Sequence, residues 1–126
     1  MTVVMSGPLS RLFAIFCLLL APLAAGAGEA FLSTIEDVPL APGLSETPGK
    51  GIAFDSPTGR IVEAAATGAV EAKQVDRFYT ETLPQLGWQE AGPMTFKRDT
   101  ETLRITVEAG RGPAPLTVHF NLTPNR

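Results

Sequence analysis

Apolar and polar residues alternate most cleanly in the C-terminal half of the chain. Leu103, Ile105, Val107 and Ala109 alternate with polar residues over residues 102–109, and Leu116, Val118, Phe120 and Leu122 do so over residues 116–122. A period of two puts each set on one face of a strand. Residues 94–98, MTFKR, alternate Met94 and Phe96 with Thr95 and Lys97. The segments DTE and GRGPAP lie between as turns, so the three strands read as a meander. Opposing Ala109 to Leu116 also opposes Val107 to Val118 and Ile105 to Phe120, a single register that serves every apolar position.

Upstream the period changes. In VEAKQVDRFYTETLPQLG, Val75, Phe78, Tyr79, Thr82 and Leu86 fall on one stripe at helical spacing, with Ala72 and Leu83 at its edge. Glu71 suits the positive N-terminal end of that helix, although no Ser, Thr, Asn or Asp occupies an obvious cap. Pro84 has no N–H to give the carbonyl of Thr80, and it pushes Leu83 away from helical geometry. The regular helix should therefore end near Leu83, with Pro84 to Leu86 as a tighter last turn. Gly87 is then expected in the left-handed cap position, with Trp88 beginning a strand and folding back over the helix end.

Before the helix, IAFD, SPTG and RIVEAAATG read as a hairpin. Pro57 suits the first corner of a type I turn and Gly59 the left-handed position after it, which predicts a three-residue loop with a bulge. That loop opposes Ser56 to Arg60, Phe54 to Val62 and Ile52 to Ala64. One face then carries Ile52, Phe54, Val62, Ala64 and Ala66, leaving Ile61 on the other side without a role.

The elements predict an α+β fold: an antiparallel sheet, made of an N-terminal hairpin plus a three-stranded meander, with one helix packed on one face. The domain is expected over residues 52–124, with the last strand beside the hairpin. At about 75 residues it buries only about 60% of its unfolded surface. Residues 28–51 read as an arm, since Pro39, Pro42, Pro48, Gly43, Gly49 and Gly51 disfavour regular structure. Val38, Leu40 and Leu44 suit draping over a core; the same composition suits a disordered spacer.

Residues 1–27 read as a secretory signal peptide. Arg11 precedes the apolar run LFAIFCLLLAPLAA, and Ala25-Gly26-Ala27 has the small-x-small form of a cleavage site, which predicts a mature chain starting at Gly28. The run is short for a span of ~20 residues and is interrupted by Pro22. Phe16 stands where a lipobox needs a small residue before Cys17. Cleavage removes the one cysteine of the chain, and with it disulfides, thiolate catalysis and cysteine metal sites. Removing Arg11 leaves nine basic side chains against thirteen acidic ones. With no basic run, neither nucleic acid nor an anionic membrane surface is an expected partner after signal cleavage.

Candidate chemistry is sparse. His119 is the one histidine, and the meander register sets it beside Thr106, with Arg104 opposite Asn121 and Glu108 opposite Thr117. The resulting polar ridge reads either as a binding surface with a titrating group or as the wetted face of a one-sided sheet. No serine outside the first 27 residues lies beyond the arm or a turn, no G-x-S-x-G occurs, and one histidine does not make a zinc site. No catalytic residue, metal or cofactor is therefore expected. Tyr79 and Trp88 read as core residues or as an aromatic platform for a ligand.

With GRIVEAAATG before it and the meander after it, FYTETLPQLGW resembles small exported domains of alphaproteobacterial hypothetical proteins, over about residues 37–124. No activity comes with the resemblance, and it implies a bacterial envelope. The expectation is a periplasmic or secreted, non-enzymatic module that contacts another envelope protein. The alternative is a carrier of a small molecule or glycan in a pocket between helix and sheet, lined by Phe78, Tyr79, Trp88 and the meander.

Overall fold

The alternation in the C-terminal half builds the centre of a single antiparallel sheet. The computed structural model describes residues 30–125; the expected signal peptide, Cys17 and the expected cleavage site lie outside the described residues. Strands β1 (Ser45–Glu46), β2 (Ile52–Ser56) and β3 (Gly59–Gly68) precede helix α1 (Ala72–Thr82) and a 3₁₀ turn (Leu83–Leu86). Strands β4 (Gln89–Glu90), β5 (Thr95–Arg98), β6 (Glu101–Glu108) and β7 (Leu116–Pro124) follow. The sheet order is β1-β3-β7-β6-β5-β4, with β2 sharing the outer edge of β3 with β1. The fold is α+β, one helix against an antiparallel sheet. The last strand in sequence thus lies at the centre, between β3 and β6.

The β6–β7 register is the expected one: Val107 faces Val118, Ile105 faces Phe120 and Thr106 faces His119. Leu103, Ile105, Leu116, Val118, Phe120 and Leu122 are buried on the helix side. Ala109 falls just beyond β6 and is exposed, so the apolar face of that strand ends at Val107.

The helix ends where its proline dictates. The 3₁₀ turn starts at Leu83, and Gly87 has φ +95°, a conformation that a Cβ would oppose. Trp88 N–H donates to the Leu83 carbonyl at 3.0 Å and Gly87 N–H to the Pro84 carbonyl at 3.2 Å, a Schellman closure that satisfies the terminal carbonyls. Trp88 then turns back into the core. The Arg98 guanidinium lies 4.4 Å from the Trp88 ring centroid and donates to the Leu86 carbonyl at 3.2 Å while pairing with Asp37. At the other end, Gln74 accepts from the Glu71 N–H at 3.3 Å, a back-bond that stands in for the missing Ser or Asp cap. Val75, Tyr79 and Leu83 are the buried centre of the helix. Ala72, at the first position of the helix, is exposed, and Leu86 is exposed because the 3₁₀ tightening of the last turn swings it off the stripe.

The first hairpin differs from expectation by one residue. Ser56 faces Gly59, Asp55 faces Arg60, Phe54 faces Ile61 and Ile52 faces Glu63, so the loop is the two residues Pro57-Thr58. The Ser56 hydroxyl donates to the Gly59 carbonyl at 2.7 Å, and Gly59 takes φ +143°. A slip of one residue moves every side chain of a strand to the other face. Val62, Ala64 and Ala66 stay in the core, held by pairing with β7. Ile52 and Phe54 instead point to the face opposite the helix, and Ile61 acquires Phe54 as its cross-strand neighbour.

The arm belongs to the core, so the expected boundary at residue 52 is no structural boundary. Leu32, Ile35, Val38, Ala41 and Leu44 are buried in the same cluster as the sheet and helix. Buried Tyr79 fastens the segment: its hydroxyl donates to the Pro39 carbonyl at 2.7 Å and accepts from the Ala41 N–H at 3.1 Å. Ser33 donates its N–H and hydroxyl to the Glu46 carboxylate at 3.0 and 2.9 Å.

Candidate functional site: the open face of the sheet

The space between helix and sheet holds no pocket lined by Tyr79 or Trp88. Tyr79, Trp88, Phe96 and Phe120 are each at most 1% exposed and fill it, with Tyr79 edge-on to Phe78 and Phe120 at centroid distances of 4.9 and 5.7 Å. The aromatic pair is core rather than platform, and only Phe78 of the expected lining reaches a surface dent, against Pro42.

The opposite face is different. Because the core residues of β3, β7 and β6 are fixed by their register, their alternate residues stand together on the uncovered side. His119 sits between Ala65 and Thr106, Asn121 between Glu63 and Arg104, and Thr117 between Thr67 and Glu108. The six expected ridge residues, Arg104, Thr106, Glu108, Thr117, His119 and Asn121, do form one surface.

That surface is the floor of a groove of about 880 Å³. Thr106, Thr117, His119 and Asn121 line it, together with Glu63 and Thr67. Arg104 and Glu108 flank it, and the Glu108 carboxylate lies 3.8 Å from His119 Nε2. The wall comes from the arm. After β1, Thr47 N–H still bonds to the Ala65 carbonyl at 2.8 Å, and Pro48 to Gly51 then loop out before β2 resumes pairing at Ile52. Thr47, Gly49, Lys50 and Ile52 form this side of the groove.

The sequence reading missed Glu63, Thr67, Lys50 and the wall. Glu63 and Thr67 were accessible from alternation within RIVEAAATG, since they oppose Val62, Ala64 and Ala66. The wall was not, because it depends on two short strands sharing one edge of β3.

Chemically the groove carries mixed charge: Lys50 and Arg104 against Glu63 and Glu108, over a floor rich in threonine hydroxyls. Such a surface offers hydrogen-bond donors and acceptors side by side along its length. The Ser33, Ser45 and Ser56 hydroxyls stand outside the groove lining. Among the described residues no three His, Cys, Asp or Glu side chains gather as a metal-binding group, and no helix is long and apolar enough to cross a membrane. In comparisons with known proteins, no family model, no curated protein and no solved structure matches the chain.

Proposed function

We propose that the chain is a non-enzymatic, exported module of the bacterial envelope that works by holding another protein on the open face of its sheet. The observation that carries this reading is the groove, a broad concavity floored by His119, Thr106, Thr117 and Asn121 and walled by Thr47 to Ile52, while the space between helix and sheet is filled by core side chains. Threonine hydroxyls, an amide and charges of both signs suit the main-chain and side-chain groups of a polypeptide. The A-x-A pattern after the apolar N-terminal run and the resemblance to exported domains support the compartment.

Photo-crosslinking in producing cells tests the reading. A photoreactive residue at Thr106 or Thr117 is expected to give an adduct of defined mass. The same residue at Gln85, on the exposed helix side, gives none. Adducts from Gln85 alone, or from neither face, would remove the open face as the working surface.

A further inference from the structure

The register of the first hairpin leaves an open edge with apolar side chains beside it. All of β2 from Ile52 to Asp55 is exposed, and Ile52 and Phe54 are 52% and 54% exposed. With Ile61 beside Phe54, they form an apolar cluster on the open face at its margin. In a two-residue hairpin the residues flanking the loop form the close hydrogen-bonded pair. Ser56, Phe54 and Ile52 therefore bond to β3, while Ala53 and Asp55 turn their N–H and C=O groups outward. Of the devices that blunt an edge, IAFDS has neither proline nor lysine nor bulge, and its one charge, Asp55, stands at the turn end of a short strand. The neighbouring β1 is, by contrast, tied down by Ser33.

We infer that β2 pairs antiparallel with β2 of a second copy of this chain, joining two sheets edge to edge about a twofold axis. The segment is complementary to itself. Setting Ala53 against Ala53 matches the outward-bonding residues of both strands. It also places Ile52 of each copy against Phe54 of the other, in the closer, non-bonded pairs that favour an aromatic facing a β-branched residue. Antiparallel pairing also keeps like charges apart, whereas in-register parallel pairing would set Asp55 beside Asp55. Two five-residue strands bury less than the ~1,000 Å² of a standard specific interface, so the association is a weak and reversible one. It continues the open face of one copy into that of the other, and Ile52 becomes shared between groove and interface.

Sedimentation equilibrium of the protein, purified in the form that producing cells accumulate, is the test. The expected result is a concentration-dependent monomer–dimer equilibrium. Ala53→Pro removes an outward N–H without costing a bond to β3, and it should weaken association at least tenfold with an unchanged thermal melt. Phe54→Ser should do the same from the side-chain side. Ala53→Cys, combined with Cys17→Ala, should oxidise to a covalent dimer, because Cα atoms about 5.5 Å apart across such a pair fit a disulfide. A monomer at every concentration overturns the inference. So does a dimer indifferent to both Ala53→Pro and Phe54→Ser, or a β2 edge occupied by a different envelope protein.

Discussion

Tyr79 connects the helix to the arm through one oxygen, and its chemistry makes that connection measurable. Burial raises the phenol pKa well above its ordinary value, opposed in part by the Ala41 N–H that donates to it. Between an unfolded value of about 10 and the higher folded one, the native state holds a proton that the unfolded chain has lost. Its contribution to stability is therefore complete below pH ~10 and declines as pH rises further. Tyr79 is the one tyrosine, so phenolate absorbance should appear only together with loss of native circular dichroism. Tyr79→Phe should flatten this alkaline decline and cost about 1–3 kcal/mol at neutral pH, because the Ala41 N–H and Pro39 carbonyl lose their partner. Trp88→Ala is expected to cost about 3–5 kcal/mol in urea melts, whereas His119→Ala, on the wet face, stays within about 0.5 kcal/mol. The opposite ranking would invert the two faces of β7. Burial of Trp88 and exposure of His119 were legible from alternation and helix-end chemistry. The partners of Tyr79 were not, because they lie about forty positions away in a segment without periodicity.

At the scale of elements, the helix terminus and the first hairpin show where local rules suffice. Pro84 and Gly87 act through geometry within a few residues, so the 3₁₀ turn, the left-handed glycine and the returning tryptophan could all be read from LPQLGW. Pro84→Ala should change stability by less than about 1 kcal/mol, since the helix has already tightened there and little strain is released. Gly87→Ala should cost roughly 1 kcal/mol or more: besides its φ of +95°, a Cβ would come within 3.3 Å of Arg98 Cδ. A large gain from Pro84→Ala would mean a strained helix running through it. The hairpin was read correctly as a hairpin but on the wrong face. Pro57 and Gly59 are compatible with loops of two or three residues. The decision between them rests on the Ser56 hydroxyl bond to Gly59, which is local but not specified by residue type alone, and on β3 being anchored by β7, which is not local.

For the molecule as a whole, the arm resolves an alternative the sequence left open: Val38 and Leu44 drape into the core and Leu40 packs against it, and the segment is no spacer. Leu32, Ile35, Val38, Ala41 and Leu44 recur at every third position, a period that matches neither an α-helix nor a β-strand, and the prolines and glycines around them obscured it. Removing residues up to Leu44 would uncover the helix–sheet core and strip the groove of its anchored wall. Such a truncation should lose cooperative unfolding, while limited proteolysis of the native protein should spare residues 32–44. Survival of a cooperative melt after truncation would restore the arm to a spacer. The central place of β7 has a consequence in time. β3 meets its principal neighbour only across about fifty residues of intervening chain, and β6 likewise waits for β7. A ribosome that has delivered everything up to Ala114 has delivered a hairpin, a helix and a second hairpin with no shared centre, and contacts of such long separation form late. The nascent chain lacks the strand that joins its two halves until roughly the last ten residues are out, so a ribosome stalled before Leu116 would hold a chain still open to proteases and chaperones.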